Sequence, residues 1–395
     1  MILGRDQQAI RSRLQEQMER AGLDALIFTS PDSIFYSTGF ASNFLYASHN
    51  AGTTIAVIPA QGETAIVCSE FEQQAVRSSC PYLRVAAYPT WIYIEDYAQE
   101  GMVKEVQPDP NRAFQMAAEF VPNRGRGAKV GIEPNRTPYP VWEFYCKTFG
   151  QENMRDCTQV LMEARAVKTP WEIQCLRLAT HNSELAMGKT AHAIVPGMTE
   201  AEVFQLFRRY SEELTPETTG IFQAHTIGTD FAPAFLPRNR RINVGDIVRL
   251  DGGPIVDCYN SDLSRTFAVG GVVAPERERI YASLWKGYER ACQIIGPGVP
   301  MSQVFHEIQR AIADTGVTGY VRGHHGHSLG CALFGEEYPF IAPGEDRPFL
   351  PGMVFCLELP WYGSKNHSYN IEDTFLITED GVEWFSQANA SLIWA

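Results

Sequence analysis

Four carboxylates in apolar surroundings are the residues of this chain best suited to chemistry. Asp251 ends the strand-like run Asp246–Leu250 (DIVRL), and Asp262 lies eleven residues beyond it. Glu358 sits in Met353–Leu359 (MVFCLEL), and Glu372 follows fourteen residues later in Asn370–Thr378 (NIEDTFLIT). Burying an ionised carboxylate without a partner is costly even after the protein relaxes. Arg249 and Arg265 are close in sequence and neutralise only part of such a charge; divalent cations are the simplest way to offset the rest. Hard oxygen ligands with one imidazole suit manganese, iron, cobalt or zinc. Two such ions roughly 3.5–4 Å apart share a hydroxide nucleophile and stabilise a developing oxyanion. The imidazole is assigned to His327 in Gly323–Gly330 (GHHGHSLG), where small neighbours let backbone approach a site.

The elements around these residues must bring them together. A turn at Gly252-Gly253-Pro254 followed by a return strand places Asp251 and Asp262 at one end of a sheet, and Glu358 and Glu372 suit neighbouring antiparallel strands. Thr169-Pro170-Trp171-Glu172 and Thr199-Glu200-Ala201-Glu202 are capping boxes that start two helices. Pro196-Gly197-Met198 and Pro297-Gly298-Val299, 101 residues apart, each lie between two helices. The repetition points to a duplicated unit about a pseudo-two-fold axis, with a site between its halves. Further upstream, Ile10, Leu14 and Met18 mark a helix over residues 6–21 that Gly22 stops. Leu23–Thr29 reads as a buried strand, with Pro31-Asp32 opening the next turn. Thr53–Pro59, Thr64–Cys68 and Val130–Ile132 read as further strands, and this alternation favours an α/β domain.

Composition narrows the function classes. The 395 residues carry a formal net charge of −13, which argues against nucleic acid or an anionic membrane surface as partner. No stretch approaches the roughly 18–20 apolar residues of a membrane span. The mixed polarity of Met1–Arg13 resembles no secretory leader, so a cytoplasmic location is expected. The nine cysteines show no zinc-like spacing and read as reduced, buried thiols.

At the residues named above, the sequence resembles the pita-bread fold metallopeptidases of family M24, the creatinase, prolidase and aminopeptidase P type. RLQEQMERAGLDALIFTSPDSIFYSTGF is similar to the start of the creatinase/prolidase N-terminal domain, and ARAVKTPWEI to the junction helix. GDIVRLDGGPIVDCYNSDLSRTF, GHSLG, PGMVFCLELP and NIEDTFLITEDG resemble the metal-binding motifs in family order. The resemblance implies an α/β N-terminal domain over residues 1–160. It implies an α+β pita-bread C-terminal domain with pseudo-two-fold symmetry over residues 161–395. It further implies a hydrolase of amide or peptide bonds, nominally an Xaa-Pro dipeptidase or aminopeptidase acting on a small substrate. Asp251, Asp262, His327, Glu358 and Glu372 would hold two divalent ions, manganese foremost, with Glu358 also shuttling a proton. Relatives of this architecture are commonly homodimers in which the partner walls the site. Trp91, Tyr93 and Tyr97 would line that wall, and Trp91 is assigned to substrate binding.

Two positions depart from the family pattern. Members usually carry a histidine eleven residues before Gly245 and another seven residues after the metal histidine, where this chain has Ala234 and Phe334. Other histidines are candidates to replace them: His225 and His324 as catalytic groups, His325 and His367 as substrate contacts. The same departures open an alternative in which this fold and its metals act on a small non-peptide metabolite, as ectoine hydrolase, creatinase and one dimethylsulfoniopropionate lyase do. A binding module without catalysis is a third reading, and the retention of all five ligands argues against it.

Overall fold

The computed structural model describes residues 4–48, 51–90, 95, 111–124, 127–216, 218–227, 237–332, 335–363 and 367–393. The chain divides into two compact units between Arg165 and Ala166.

The N-terminal unit is built on a six-stranded mixed sheet. Its strands are β1 (Ala25–Phe28), β2 (Ile55–Pro59), β3 (Ala65–Ser69), β4 (Arg84–Tyr88), β5 (Val130–Ile132) and β6 (Met154–Asp156), in the order β4-β3-β2-β1-β5-β6. The central strands β1, β2, β3 and β5 are buried at every position, as continuous apolar runs covered on both faces should be. The Gln7–Ala21 helix buries Ile10, Leu14 and Met18 and ends at Gly22, whose φ is 62°. Pro31 begins a helix, Pro31–Thr38, instead of opening a turn: it occupies the first helical position, where its missing N–H costs nothing.

The C-terminal unit carries an antiparallel nine-stranded sheet. It comprises β7 (Thr218–Ile227), β8 (Ile247–Val256), β9 (Tyr259–Asn260), β10 (Ser264–Ala268), β11 (Gly326–Leu329), β12 (Glu336–Phe340), β13 (Val354–Glu358), β16 (Glu372–Ile377) and β17 (Val382–Trp384). β14 (Trp361–Gly363) and β15 (His367–Tyr369) form a separate ribbon. The main path is β12-β11-β13-β16-β10-β8-β7. Its central pair, β10 with β16, meets at Ser264 opposite Glu372. Outward from that pair lie β8 and β13, then β7 and β11, so three strands of each half correspond, and β12 extends the sheet beyond β11.

The helices repeat as well. Pro170–Ala193 and Glu200–Leu214 flank the Pro196-Gly197 turn, and Pro275–Ile294 and Met301–Ala313 flank Pro297-Gly298. Gly197 and Gly298 have φ of 96° and 84°. Their amides donate to Ile242 O and Phe349 O at 2.7 and 2.9 Å. Both capping boxes form: Thr169 N and Thr199 N each donate to a glutamate Oε2, of Glu172 and Glu202, at 2.7 Å. Each half packs its helices on one face of the sheet. Met187, Val203 and Phe207 meet Val248 and Leu250 in one half. Leu284, Val304 and Ile308 meet Phe355, Leu357 and Phe375 in the other. The sequence echo is therefore a structural duplication.

One expected turn is absent. β8 runs straight through Gly252-Gly253-Pro254, and the chain reverses at Asp257 and Cys258, with φ of 47° and 64°. Gly253 instead allows a close approach. A Cβ there would lie 2.2 Å from Ser183 Oγ on the Pro170–Ala193 helix, and Ser183 Oγ donates to Gly252 O.

Candidate metal centre

Alternation along the strands decides which side chains meet. Val248 and Leu250 enter the helix-side core, so Arg249 and Asp251 share the opposite face of β8. On β13, Phe355 and Leu357 enter the core and Cys356 and Glu358 take the other face. Register then aligns the acids. Ser264 pairs with Asp251 on one side and Glu372 on the other, and Glu358 is directly opposite Glu372. Asp262 precedes β10, and its carbonyl oxygen accepts from Thr374 Oγ1 at 2.7 Å and Cys356 Sγ at 3.2 Å.

His327 arrives on β11, opposite Cys356. Its Nδ1 lies 3.0 Å from Ser328 O. A proton donated there leaves the Nε2 lone pair free, and Nε2 is 3.6 Å from Asp262 Oδ2. Lys168 Nζ donates to Ser328 Oγ at 2.6 Å and steadies this corner. Ligand atoms of Asp262, His327, Glu372 and Cys356 all lie within 4.8 Å of one another.

The electrostatics ask for a cation. Burial pushes the carboxyls of Asp262 and Glu372 well above the usual carboxylate range. Repulsion among Asp251, Asp262, Glu358 and Glu372 adds to the effect. Burial also raises Asp251 to about 6, opposed by Arg249, whose Nε is 3.7 Å from Asp251 Oδ2. Asn370 Nδ2 donates to Glu372 Oε2 at 3.0 Å. Asp262, His327 and Glu372 are 5%, 2% and 2% exposed. Two buried carboxylates and one imidazole lone pair, drawn together against their own repulsion, fit a divalent ion.

Glu358 stands apart from that trio. Its Oε1 accepts from Arg322 Nη2 at 2.7 Å and lies 3.3 Å from His324 Nδ1. The His324 ring is 6.1 Å from that of His327 and packs against Phe340. Burial lowers the His324 pKa, so the ring is neutral near pH 7. Tyr362, an exposed residue of β14, lies over the Arg249 guanidinium at 5.4 Å.

The other assigned residues separate clearly. His325, expected to touch substrate, is a core residue: it is fully buried between Phe305 and Tyr320, with Nε2 2.7 Å from the Gln309 side-chain nitrogen position. Burial, then the nearby Arg322, lowers it to about 3, so it stays neutral. Arg265 does not neutralise the centre either. It lies on the opposite face and pairs with Asp373 at 2.8 Å and with Glu184. His225 pairs through its backbone with Leu250 on β8, and His367 opens β15; their side chains lie outside the described residues, as do Trp91, Ala234 and Phe334. Sequence reasoning missed Cys356, Asn370 and Arg322. The first two stand two residues before Glu358 and Glu372, so strand alternation would have found them; Arg322 lies in irregular chain and gave no such signal.

Comparison with known proteins agrees with this architecture. The model of metallopeptidase family M24 matches residues 174–379, and that of the creatinase/prolidase N-terminal domain matches residues 11–167. An Xaa-Pro dipeptidase of Pyrococcus furiosus is 26% identical over 316 residues, covering 79% of this chain and 88% of that protein. A probable dipeptidase PepE of Mycobacterium tuberculosis is 31% identical over 229 residues, covering 57% of this chain and 59% of its own. Among solved structures, the recombinant prolidase from Thermococcus sibiricus superposes with a TM-score of 0.83 at 20% identity, covering 99% and 100% of the two chains. Dipeptidase PepE from Mycobacterium ulcerans gives 0.79 at 24%, covering 99% of each. With the family model spanning the main path of the sheet and every carboxylate of the centre, this chain belongs to metallopeptidase family M24, a family of metallohydrolases.

Proposed function

We propose that this enzyme hydrolyses an amide bond in a small substrate, with Xaa-Pro dipeptides as the first class to test. The observation that carries the reading is the convergence of Asp262, His327 and Glu372, buried, with ligand atoms within 4.8 Å of one another and the two carboxylates repelling each other. These three would hold divalent metal, manganese foremost, with Asp251 and Glu358 beside them. Metal bound there supplies a polarising charge for the scissile carbonyl and acidifies water. Glu358 would take a proton from attacking water there and return it to the leaving nitrogen. Arg322 orients its carboxylate, and His324, neutral and 3.3 Å from it at the edge of the centre, is the histidine we assign to meet substrate. Names of the relatives support dipeptides, since several are dipeptidases. A homodimeric, cytoplasmic enzyme completes the reading.

A second reading keeps the fold and the metal but takes a small non-peptide metabolite; Ala234 and Phe334, in place of the two family histidines, favour it. The test is a panel of Ala-Pro and Gly-Pro beside creatine, ectoine and dimethylsulfoniopropionate, run on manganese-loaded wild type and Asp262→Ala. Dipeptide turnover that falls at least about 1000-fold in the variant, together with its bound metal, is the expected result. An active variant without metal ends the metal reading, and turnover confined to the metabolites selects the second.

A further inference from the structure

We propose that this centre, on the metal-hydrolase reading above, holds one divalent ion per chain, because Arg249 and Arg322 take the electrostatic place of a second. Four carboxylates meet here, and two of them already carry a counter-charge. Arg249 Nε stands 3.7 Å from Asp251 Oδ2, and Arg322 Nη2 donates to Glu358 Oε1 at 2.7 Å. Asp262 and Glu372 are left to a metal, and with His327 they form a group of ligand atoms within 4.8 Å of one another. One divalent ion balances those two carboxylates.

The two arginines differ in how firmly they hold their positions. Arg249 is 1% exposed, is rooted on β8 two residues from Asp251, and lies against the Tyr362 ring. Its backbone is paired on both sides, with Thr226 and with Thr266, which fixes its root beside Asp251. An ion bound by Asp251 would sit within roughly 6 Å of that guanidinium, where like charges in a protein interior repel strongly. Arg322 comes from irregular chain and is only half-buried, so it can release Glu358 to the first ion. Arg249 is therefore the residue that sets the count.

The experiment strips the full-length protein with chelator and titrates it with Mn(II). Calorimetry and elemental analysis after desalting read the stoichiometry, and electron paramagnetic resonance reads whether ions are isolated or paired. Wild type is expected to retain one ion, at least about 100-fold tighter than any second, with the spectrum of isolated Mn(II). Arg249→Met keeps the apolar stem and removes the charge; a second equivalent and an exchange-coupled spectrum are expected. Arg322→Gln should tighten the first ion by about 10-fold without adding another. Two ions of similar affinity in wild type overturn the proposal and leave the hydrolase reading standing, whereas no bound metal overturns both. A folded Arg249→Met that takes up no second ion also overturns it, as does a second ion gained through Arg322→Gln alone. If Arg249→Met fails to fold, the wild-type stoichiometry decides.

Discussion

Both units of this chain bury carboxylates, and the surroundings they give them differ. In the N-terminal unit Glu72 accepts from Ser42 Oγ and Thr54 Oγ1, both at 2.7 Å. Glu70 accepts from the amide and hydroxyl of Thr90, and Asp32 pairs with Arg136 at 2.6 Å. Asp373 in the C-terminal unit is treated in the same way, by Arg265, Tyr288 Oη at 2.6 Å, Ser386 Oγ at 2.5 Å and the amide of Ala388 at 2.7 Å. One residue earlier, on the other face of β16, Glu372 has Asn370 as a donor and three other carboxylates as neighbours. A buried carboxylate surrounded by donors is part of the scaffold, whereas one surrounded by other carboxylates is a place for a cation.

Removing a partnered carboxylate should therefore cause the largest loss of stability. Asp373→Ala strips buried Arg265 of one of its two carboxylate partners and removes the carboxylate acceptor of the Tyr288 hydroxyl. A loss of about 3–5 kcal/mol is expected, of the size seen when a buried ion pair is broken from one side. Urea denaturation of chelator-treated protein measures it, and a change below about 1 kcal/mol would sink the assignment of Asp373 to the scaffold.

Much of this contrast was legible in the sequence, and the failures have physical causes. Apolar strands around Asp251, Glu358 and Glu372 were readable because alternation and flanking turns mark them. Gly252-Gly253-Pro254 misled because glycine serves both tight turns and close packing, and only tertiary contact with Ser183 tells them apart. Arg265 looked as near to the centre as Arg249. Residue parity settles the matter: Arg249 shares a face with Asp251, while Arg265 is one residue from Ser264 and faces Asp373. The run His324-His325-Gly326-His327 offered three imidazoles with nothing to rank them. The φ of 137° at Gly326, where β11 begins, and the aromatic pocket of Phe305 and Tyr320 assign each ring its surroundings.

The pH dependence of stability sharpens the comparison. Asp251 is raised from 3.8 to about 6 in the folded metal-free chain, so the folded state binds this proton more tightly than the unfolded state. Its protonation favours folding. That contribution is complete below about pH 4 and is lost as pH rises through about 6, a change of about 3 kcal/mol. Asp262 and Glu372 shift in the same direction and extend the loss to higher pH. Bound manganese reverses the preference, because it requires the ionised forms. The gap in melting temperature between manganese-loaded and metal-free protein should thus widen from about pH 5 to about pH 7.5. A gap that stays constant or narrows would mean that these acids are balanced by something other than metal.

The finest test exchanges one oxygen for nitrogen in each setting. Glu72→Gln keeps the shape of the side chain but turns one acceptor of the Ser42 and Thr54 hydroxyls into a donor. A cost of about 1–2 kcal/mol follows, with or without manganese, since nothing around Glu72 depends on metal. Glu372→Gln makes the same change where the native charge is repelled. In metal-free protein near pH 7.5 the amide imitates the protonated acid that the fold prefers, so stability should rise by about 1 kcal/mol. Added manganese should then fail to stabilise the Glu372→Gln protein, while it stabilises Glu72→Gln as it does wild type. The discriminating result is the opposite sign of two isosteric changes in the metal-free state, read by urea unfolding of both variants beside wild type. Equal losses in the two would show that Glu372 is held by donors, as Glu72 is, and that the contrast between the units lies elsewhere.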